Sequence, residues 1–577
     1  MIRLSTDKKK LISETLDLIE VCNVSRGVRA AYYRSMNGIV ETGRQDGNKS
    51  LMNMLYKHLD RSAALMYSPT MLHFMIDFEH EYPKSVIDRG AVIARVITRS
   101  WERENTDMVF GQGVFEALKY GAALLKQWPE LQPDSSLRYQ KRLVMPWQFG
   151  VYREDENELN KQPCLCETTM ISLPEVWKRV WQFPDAEKLY QRVKAVSTKE
   201  QASDVSNSYF HQVLSANTLQ TGTNVITKPG GIVNFGNDPN YAVMGPEVAI
   251  DMAKLHEVWV QQEKDWVTIQ LIEPDILITP RFIAQGIGTK MDNLLIAGGH
   301  HTGLHPYTLI QPNAVHGYFW GRPETVDLTE PQTFLSTTCE DTKRLFGLQV
   351  EKLLGIIGFD GLTDEIYDQQ RGSGYISVPQ GGAVSDLTPK FPEQTLPLIK
   401  MLKDTINELG GFPPIMTGQG EQGVRAGVHA DTLLKTGSPT LRDRSLLVER
   451  QVAEAADLTL SIKEAKEDTT YWSKGDTLED MKKTSFMIND LPRDWRVSVD
   501  SHSSSPIFMD DHTQLIFALV QRGIVTKHAA IDLLPVPHKD KLHIELREEE
   551  KKTAALIQQH PELLPKLMGG GKGGGHR

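Results

Sequence analysis

Apolar residues recur at three- and four-residue spacing over Lys9–Ile19, Leu51–Leu65, Val86–Arg103 and Gly113–Gln127, with polar or Gly/Pro breaks between them. This spacing predicts four helices, so that the first 260 residues read as mainly helical. The stretch LVMPWQFGVYRED departs from the pattern: Val144, Trp147, Phe149, Val151 and Tyr152 are β-formers ahead of an acidic turn, and predict strands. Short β-branched runs, WVTIQLI and DILIT, predict further strands between Trp266 and Ile310, bounded by Pro274, Pro280 and Gly286.

Helical periodicity returns from about Glu330 to Leu354, where Phe346, Val350 and Leu353 share a face and Gly355 offers a stop. Gly355 to Phe391 is rich in glycine and holds one clear strand candidate, GYISVP, which predicts a small β module. Thr395–Leu409 has Pro397 in its first turn, Ile399, Leu402, Ile406 and Leu409 on one stripe, and Gly410 at its end. Phe412–Pro439 reads as a loop, with Gly418, Gly420, Gly423, Gly427 and Gly437 as hinge positions. In a long helix from Thr440 to about Lys466, Leu441, Val448, Ala455 and Ile462 repeat every seven residues, with Val452 beside them. That narrow stripe predicts packing between neighbouring elements or subunits. WRVSVDS alternates strictly and predicts a strand, and two short helices, Thr513–Arg522 and Thr526–Leu534, follow. The terminal GGGKGGGHR can bury nothing and is expected to be a mobile tail.

The fold class expected from this order is α+β, mainly helical. With 40% hydrophobic and 24% charged residues over 577 positions, the composition is that of a folded globular protein of several domain-sized units. No apolar run is long enough to cross a membrane, and the charged start MIRLSTDKKK lacks the apolar region of a secretion signal, so folding in the cytoplasm is expected. Four cysteines, Cys22, Cys164, Cys166 and Cys339, are expected to stay reduced. A net charge of −10 argues against tight binding of nucleic acid over the whole surface, while leaving a sliding contact of few phosphates open.

Chemical motifs are weak. GQGEQG at Gly418–Gly423 matches G-x-G-x-x-G, but it follows Gly410, Gly411, Phe412, Pro413 and Pro414 instead of the strand a dinucleotide site needs. GIGTK at Gly286–Lys290 lacks phosphate-loop spacing, so no ATP-hydrolysing motor is expected. His300, His301, His305 and His316 lack the helix-borne H-E-x-x-H pattern, and Cys164 and Cys166 lack a second ligand pair; neither cofactor nor metal is expected. Asp510, Asp511 and His512 precede a helix and read as its cap. Arg425, His429 and Lys435 lie in the glycine-rich loop, with Arg442 and Arg444 just beyond it.

Four segments carry a family resemblance: HPYTLIQPNAVHGYFWGRPETVDLTEPQ; GGFPPIM at Gly410–Met416; GVRAGVHADTLLKTGSPTLRDRSLLVERQVAEAADL; and DWRVSVDSHSSSPIFMDDHTQLIFALVQRGIVTKHAAIDLLPVP. In their order along the chain they resemble the portal proteins of tailed bacteriophages. The resemblance implies a wing over 1–325, a first stem helix over 326–354, a clip over 355–391 and a second stem helix over 392–411. It continues with a tunnel loop over 412–439, a long tunnel helix over 440–470, wing return strands over 471–505, crown helices over 506–560 and a tail over 561–577.

Such a chain would form a ring, expected to be a dodecamer, through head-to-tail contacts at one vertex of the virion. It would have no catalytic site. Its implied partners are double-stranded DNA, the terminase large subunit, head-tail adaptor and tail proteins, and the major capsid and scaffolding proteins. Arg425, His429, Lys435, Arg442 and Arg444 become channel candidates, while Phe346, Val350, Leu353, Ile399, Leu402 and Ile406 become stem-packing positions. A different head-tail adaptor, or a metal-dependent enzyme centred on His300–His316, are the alternative readings.

Overall fold

The computed structural model describes the chain apart from residues 45–49, 69–71, 132–136, 202–248, 281–304, 358–382, 413–438, 467–470, 473–484, 500–515, 532–541, 547–577 and a few scattered positions. The fold is α+β: helix outweighs strand among the described residues, and every described strand pairing is antiparallel.

Helices α1 (Lys8–Asn23), α2 (Arg26–Thr42) and α3 (Met54–Met66) come first, then strand β1 (Phe74–Phe78), α4 (Lys84–Arg103) and α5 (Thr106–Tyr120). Strands β2 (Ala123–Leu131), β3 (Leu137–Val144), β4 (Phe149–Val151) and β5 (Cys164–Ser172) lead into α6 (Leu173–Val180), α7 (Ala186–Val196) and β6 (Thr198–Gln201). Strands β7 (Ala249–Gln262), β8 (Asp265–Ile272), β9 (Ile276–Pro280) and β10 (Tyr307–Ile310) precede α8 (Thr325–Glu351). After the pair β11 (Leu354–Ile357) and β12 (Ala383–Asp386) come α9 (Thr395–Leu409), α10 (Pro439–Lys466), β13 (Tyr471–Trp472), β14 (Ser485–Phe486) and β15 (Trp495–Val499).

A three-stranded sheet, β10-β2-β3, is the middle layer, and strand β2 assigns its faces residue by residue. Ala123 and Leu125 enter a large core shared with α3, α4, α5 and α10, whereas Leu124 enters a second core against the larger sheet. That larger sheet runs β4-β5-β7-β8-β9, with β6 also pairing β7. On its far face Cys164, Cys166, Val258 and Val260 pack under α1. On its near face Leu165, Trp259 and Trp266 meet the middle sheet, and further along the strands Ile171, Ala253 and Leu255 pack against α6 and α7.

Helix α10 forms as its heptad spacing predicts, and Leu441, Val448, Val452, Ala455 and Ile462 are all buried. The stripe is consumed within the chain: α10 lies against the middle sheet, where Gln127 donates to the Ala455 carbonyl at 2.9 Å and accepts from the Thr459 hydroxyl. The Gln451 side-chain amide likewise accepts from the Gln311 N–H at 3.0 Å and donates to the Gln311 carbonyl at 3.1 Å. The strand read from WRVSVDS pairs with β1, Trp495 opposite Phe78 and Val499 opposite Phe74.

Several expectations are corrected. The helix expected over Gly113–Gln127 stops at Tyr120, because Gly121 turns with φ +94° and a Cβ there would strike the Trp320 carbonyl. Residues from Ala123 onward form β2 instead, an apolar run buried on both faces and so without alternation. The mainly helical first half is interrupted by a large sheet, whose strands β5 and β7 were not predicted, and helices α2, α6 and α7 are additional. The helix expected over Glu330–Leu354 begins at Thr325 with Pro331 inside its second turn, ends at Glu351, and is followed by Leu354 in a strand. Described helix in the 513–534 stretch is confined to 516–521 and isolated positions near 527–531. GYISVP and the terminal glycine stretch lie outside the described residues.

Helix α9 forms over Thr395–Leu409 with Leu402 and Ile406 buried and Met401 exposed. We expect Ile406→Ala to lower unfolding free energy by about 2–5 kcal/mol through the cavity it leaves, and Met401→Ala to change it by less than about 0.5 kcal/mol. Urea titration of both variants measures the difference.

Candidate functional site

The glycine-rich segment, with Arg425, His429, Lys435 and the hinge glycines Gly418, Gly420, Gly423, Gly427 and Gly437, lies outside the described residues, as does GQGEQG. Its two roots are described, and they meet. Helix α9 ends at Gly410, Gly411 turns with φ +74°, and a Cβ on Gly411 would lie 4.0 Å from Leu441 in the first turn of α10. Phe412 is buried, its ring edge-on to His58 of α3 at 4.9 Å between centroids. Gly410 is required for this approach, because any Cβ there would overlap the His58 ring.

Arg444 and Arg442 stand at the same place. Arg444 is bonded to Glu324, a buried carboxylate that also lies 3.3 Å from His58 Nε2. Arg444 is thus committed to an internal ion pair linking α10, α3 and the entry to α8, and is a clamp where α10 begins instead of an open contact for phosphate. Arg442 is half-buried in the first turn of α10.

The stem-packing positions divide. Leu402 and Ile406 enter the large core, with Ile399 packed against it, so the stripe of α9 faces the body as well as α8. Phe346 remains half-exposed, its ring 4.8 Å from that of Phe391 just ahead of α9, while at the other end of the pair His58 meets both Glu324, just ahead of α8, and Phe412, just after α9. The end of α8 thus meets the start of α9 and the start of α8 meets the end of α9, so the two helices run antiparallel. Leu353 and the Val350 side chain lie outside the described residues.

Sequence reading missed the most heavily charged feature of the interior, a network bridging the two sheets. Lys126 of β2 donates to Glu167 of β5 at 2.7 Å and to Glu257 of β7 at 2.8 Å. Arg142 of β3 pairs with the other Glu167 oxygen, and Tyr307 of β10 donates to Glu167 at 2.7 Å. Trp259 Nε1 donates to Glu257 at 2.9 Å. Two cations thus face two carboxylates. Burial alone would pull the Lys126 ammonium below its ordinary range, but Glu167 and Glu257 outweigh it and hold its pKa above. Burial pushes Glu257 up, yet Lys126 beside it and the Lys126 and Trp259 hydrogen bonds hold it below the ordinary carboxylate value. Lys126 and Glu167 are buried and each charge in the network is paired with another part of the same chain, with Arg142 alone reaching the surface, which makes this a structural joint.

On the opposite face of the large sheet, His256 lies between the Thr168 hydroxyl at 2.9 Å from Nδ1 and Glu273 at 3.1 Å from Nε2. The His256 bond is the first cause holding Glu273 below the usual carboxylate range. This hydroxyl, imidazole and carboxylate line has the residue types of a nucleophilic relay. Thr168 is only 6% exposed, however, which gives a substrate no approach to its hydroxyl.

Of the histidine group, His300 and His301 lie outside the described residues, as do GIGTK and Asp510–His512. His305 is buried edge-on to Trp266, and burial lowers its pKa to about 4, so it sits in the core as neutral imidazole; His316 is exposed. Cys164 and Cys166 are buried beneath α1, with the Cys22 sulfur 3.8 Å from that of Cys164. Among the described residues no group of three or more His, Cys, Asp or Glu side chains is placed to hold a metal ion, and no described helix is long and apolar enough to cross a membrane. No protein-family model matches the chain, and no curated protein matches it.

Replacing Lys126 by methionine should cost about 3–5 kcal/mol in urea unfolding, because two buried carboxylates would then share Arg142 alone. Because the folded Glu257 pKa is depressed, its contribution is fully present above its ordinary value of 4.5 and is lost as pH falls through the lower folded value. Acid titration of stability should therefore be less steep below pH 4.5 in Glu257→Gln than in the wild type.

Proposed function

We propose that this chain is the portal protein of a tailed bacteriophage, a non-enzymatic subunit that assembles into a ring, twelve copies in the virion, around the channel for packaging and ejecting double-stranded DNA. One observation carries the reading. Helices α8 and α9 run antiparallel, are joined through the paired strands β11 and β12, and are rooted in the large core through Leu328, Leu335, Leu402 and Ile406. A rooted helix pair with a small β module between its members has the organisation of stem and clip.

The order that follows supports the same reading: a glycine-rich segment with both ends clamped at Gly411 and Leu441, then a long helix fixed to the body. In a ring each side chain is repeated around the axis, so one Arg425 and one Lys435 per subunit would supply a belt of positive charge for phosphate contact without base readout. The −10 charge of the chain would keep the duplex from adhering elsewhere. The segment 355–391 would serve as the dock for the terminase large subunit during packaging and for adaptor and tail proteins afterwards. The outer regions would meet the capsid and scaffolding proteins.

Negative-stain microscopy of the purified chain should yield rings with a central hole and a narrower stem; compact particles without a hole, or monomers at every concentration, would exclude the reading. In assembled particles, Arg425→Ala with Lys435→Ala should leave rings intact and reduce DNA packaged or retained. Unchanged DNA content would remove those two side chains from the channel role.

A further inference from the structure

Two exposed surfaces of opposite charge lie at opposite ends of strand β5. Its last residue, Ser172, caps α6 with Glu175 in a reciprocal capping box, so the strand leads directly into α6 and α7. On that helix pair Trp177 is 40% and Trp181 57% exposed, one turn apart, with Tyr190 edge-on to Trp177 at 5.4 Å. Residues 173–196 carry five basic side chains against three acidic ones, a net +2 in a chain of net −10. Lys178 and Lys194 are exposed and have no ion pair among the described residues.

The other end of β5 begins about 26 Å away at roughly 3.3 Å per residue. There the Tyr152 amide bonds the Cys164 carbonyl at 3.2 Å, and the loop 152–162 carries four acidic against two basic side chains, a net −2 that remains although Arg153 pairs with Asp155 at 2.6 Å and Lys161 with Glu158 at 2.7 Å, while Glu154 is bonded to the buried Arg29. Asn157 ties this loop to Val315 at 2.7 Å, which brings exposed Tyr152, Val315 and Tyr318 to the same surface as exposed Asp155 and Glu158.

We infer that these are the two halves of one contact, in which the basic, tryptophan-bearing α6–α7 face of one copy docks on the acidic 152–158 and 315–318 face of the next. The occupant is a second copy because the chain itself carries the complementary surface, and because the halves differ in charge and stand apart along a rigid strand. A self-complementary pair would bring like to like, whereas distinct faces at opposite ends generate a head-to-tail series, which closes into a ring when the rotation permits. Exposed tryptophan and tyrosine supply the anchors that dominate protein contacts, and opposite charge sets register and partner choice. The inference rests on the ring reading and assigns that ring one of its surfaces.

The test is a charge exchange. Lys178→Glu with Lys194→Glu makes both faces acidic; Asp155→Lys with Glu158→Lys makes both basic. All four positions are exposed, and unchanged thermal melting would verify that each variant folds. Sedimentation velocity at low salt should find each variant at least about tenfold weaker in self-association than the wild type. An equimolar mixture should recover assembly, because alternating copies then pair acidic with basic at every contact. Assembly of both variants at wild-type strength would overturn the assigned surfaces and leave the ring reading standing. Failure of the mixture to recover would overturn their pairing with each other. A wild-type chain that is monomeric at all concentrations would overturn both this inference and the ring.

Discussion

The joint between the two sheets governs the architecture. Lys126 and Arg142 on one side and Glu167 and Glu257 on the other occupy a place where apolar contact would have been cheaper in desolvation. What the ions add is register: each bond fixes one strand of the middle sheet against one strand of the larger sheet, and a shift of one residue would turn every charge into an apolar core. The middle sheet in turn carries α10 on its other face through Gln127 and Gln311. The placement of the long helix, and with it the roots of the 413–438 segment, therefore depends on a handful of buried polar bonds in the interior.

Much of this was legible in the sequence where one face of an element is wet. The α10 heptad, the α9 stripe with its Gly410 stop and the alternation of Trp495–Val499 all display a polar side, and each forms as its period requires. Strands β2, β5 and β7 are covered on both faces, so alternation is lost and Ala122–Leu125 read as a helical continuation. The ionic joint was invisible for a related reason. Its members stand far apart in sequence, at 126, 142, 167 and 257, and no local pattern distinguishes a buried glutamate from a solvated one.

The candidate channel residues separate along the same line. Arg444 was grouped with Arg425 and Lys435 because it follows the glycine-rich segment, but the fold gives it a carboxylate partner in Glu324 and a place beside His58. Proximity in sequence carried no information about which side of the clamp a cation would take. Gly410 carries the opposite lesson: read as an ordinary helix stop, it is also the only residue type that leaves room for the His58 ring.

Because α9 ends and α10 begins at one spot, beside Gly411 and Leu441, the distance between the two helix ends sets no minimum length for the chain that joins them. For any flexible connection tethered at coincident ends, doubling its length costs only about 0.6 kcal/mol of closure entropy, and neither helix need change its packing. Evolution can therefore lengthen, shorten or recompose that insert to suit its contact while the supporting scaffold stays as it is, and an engineer grafting a foreign peptide there would have the same freedom.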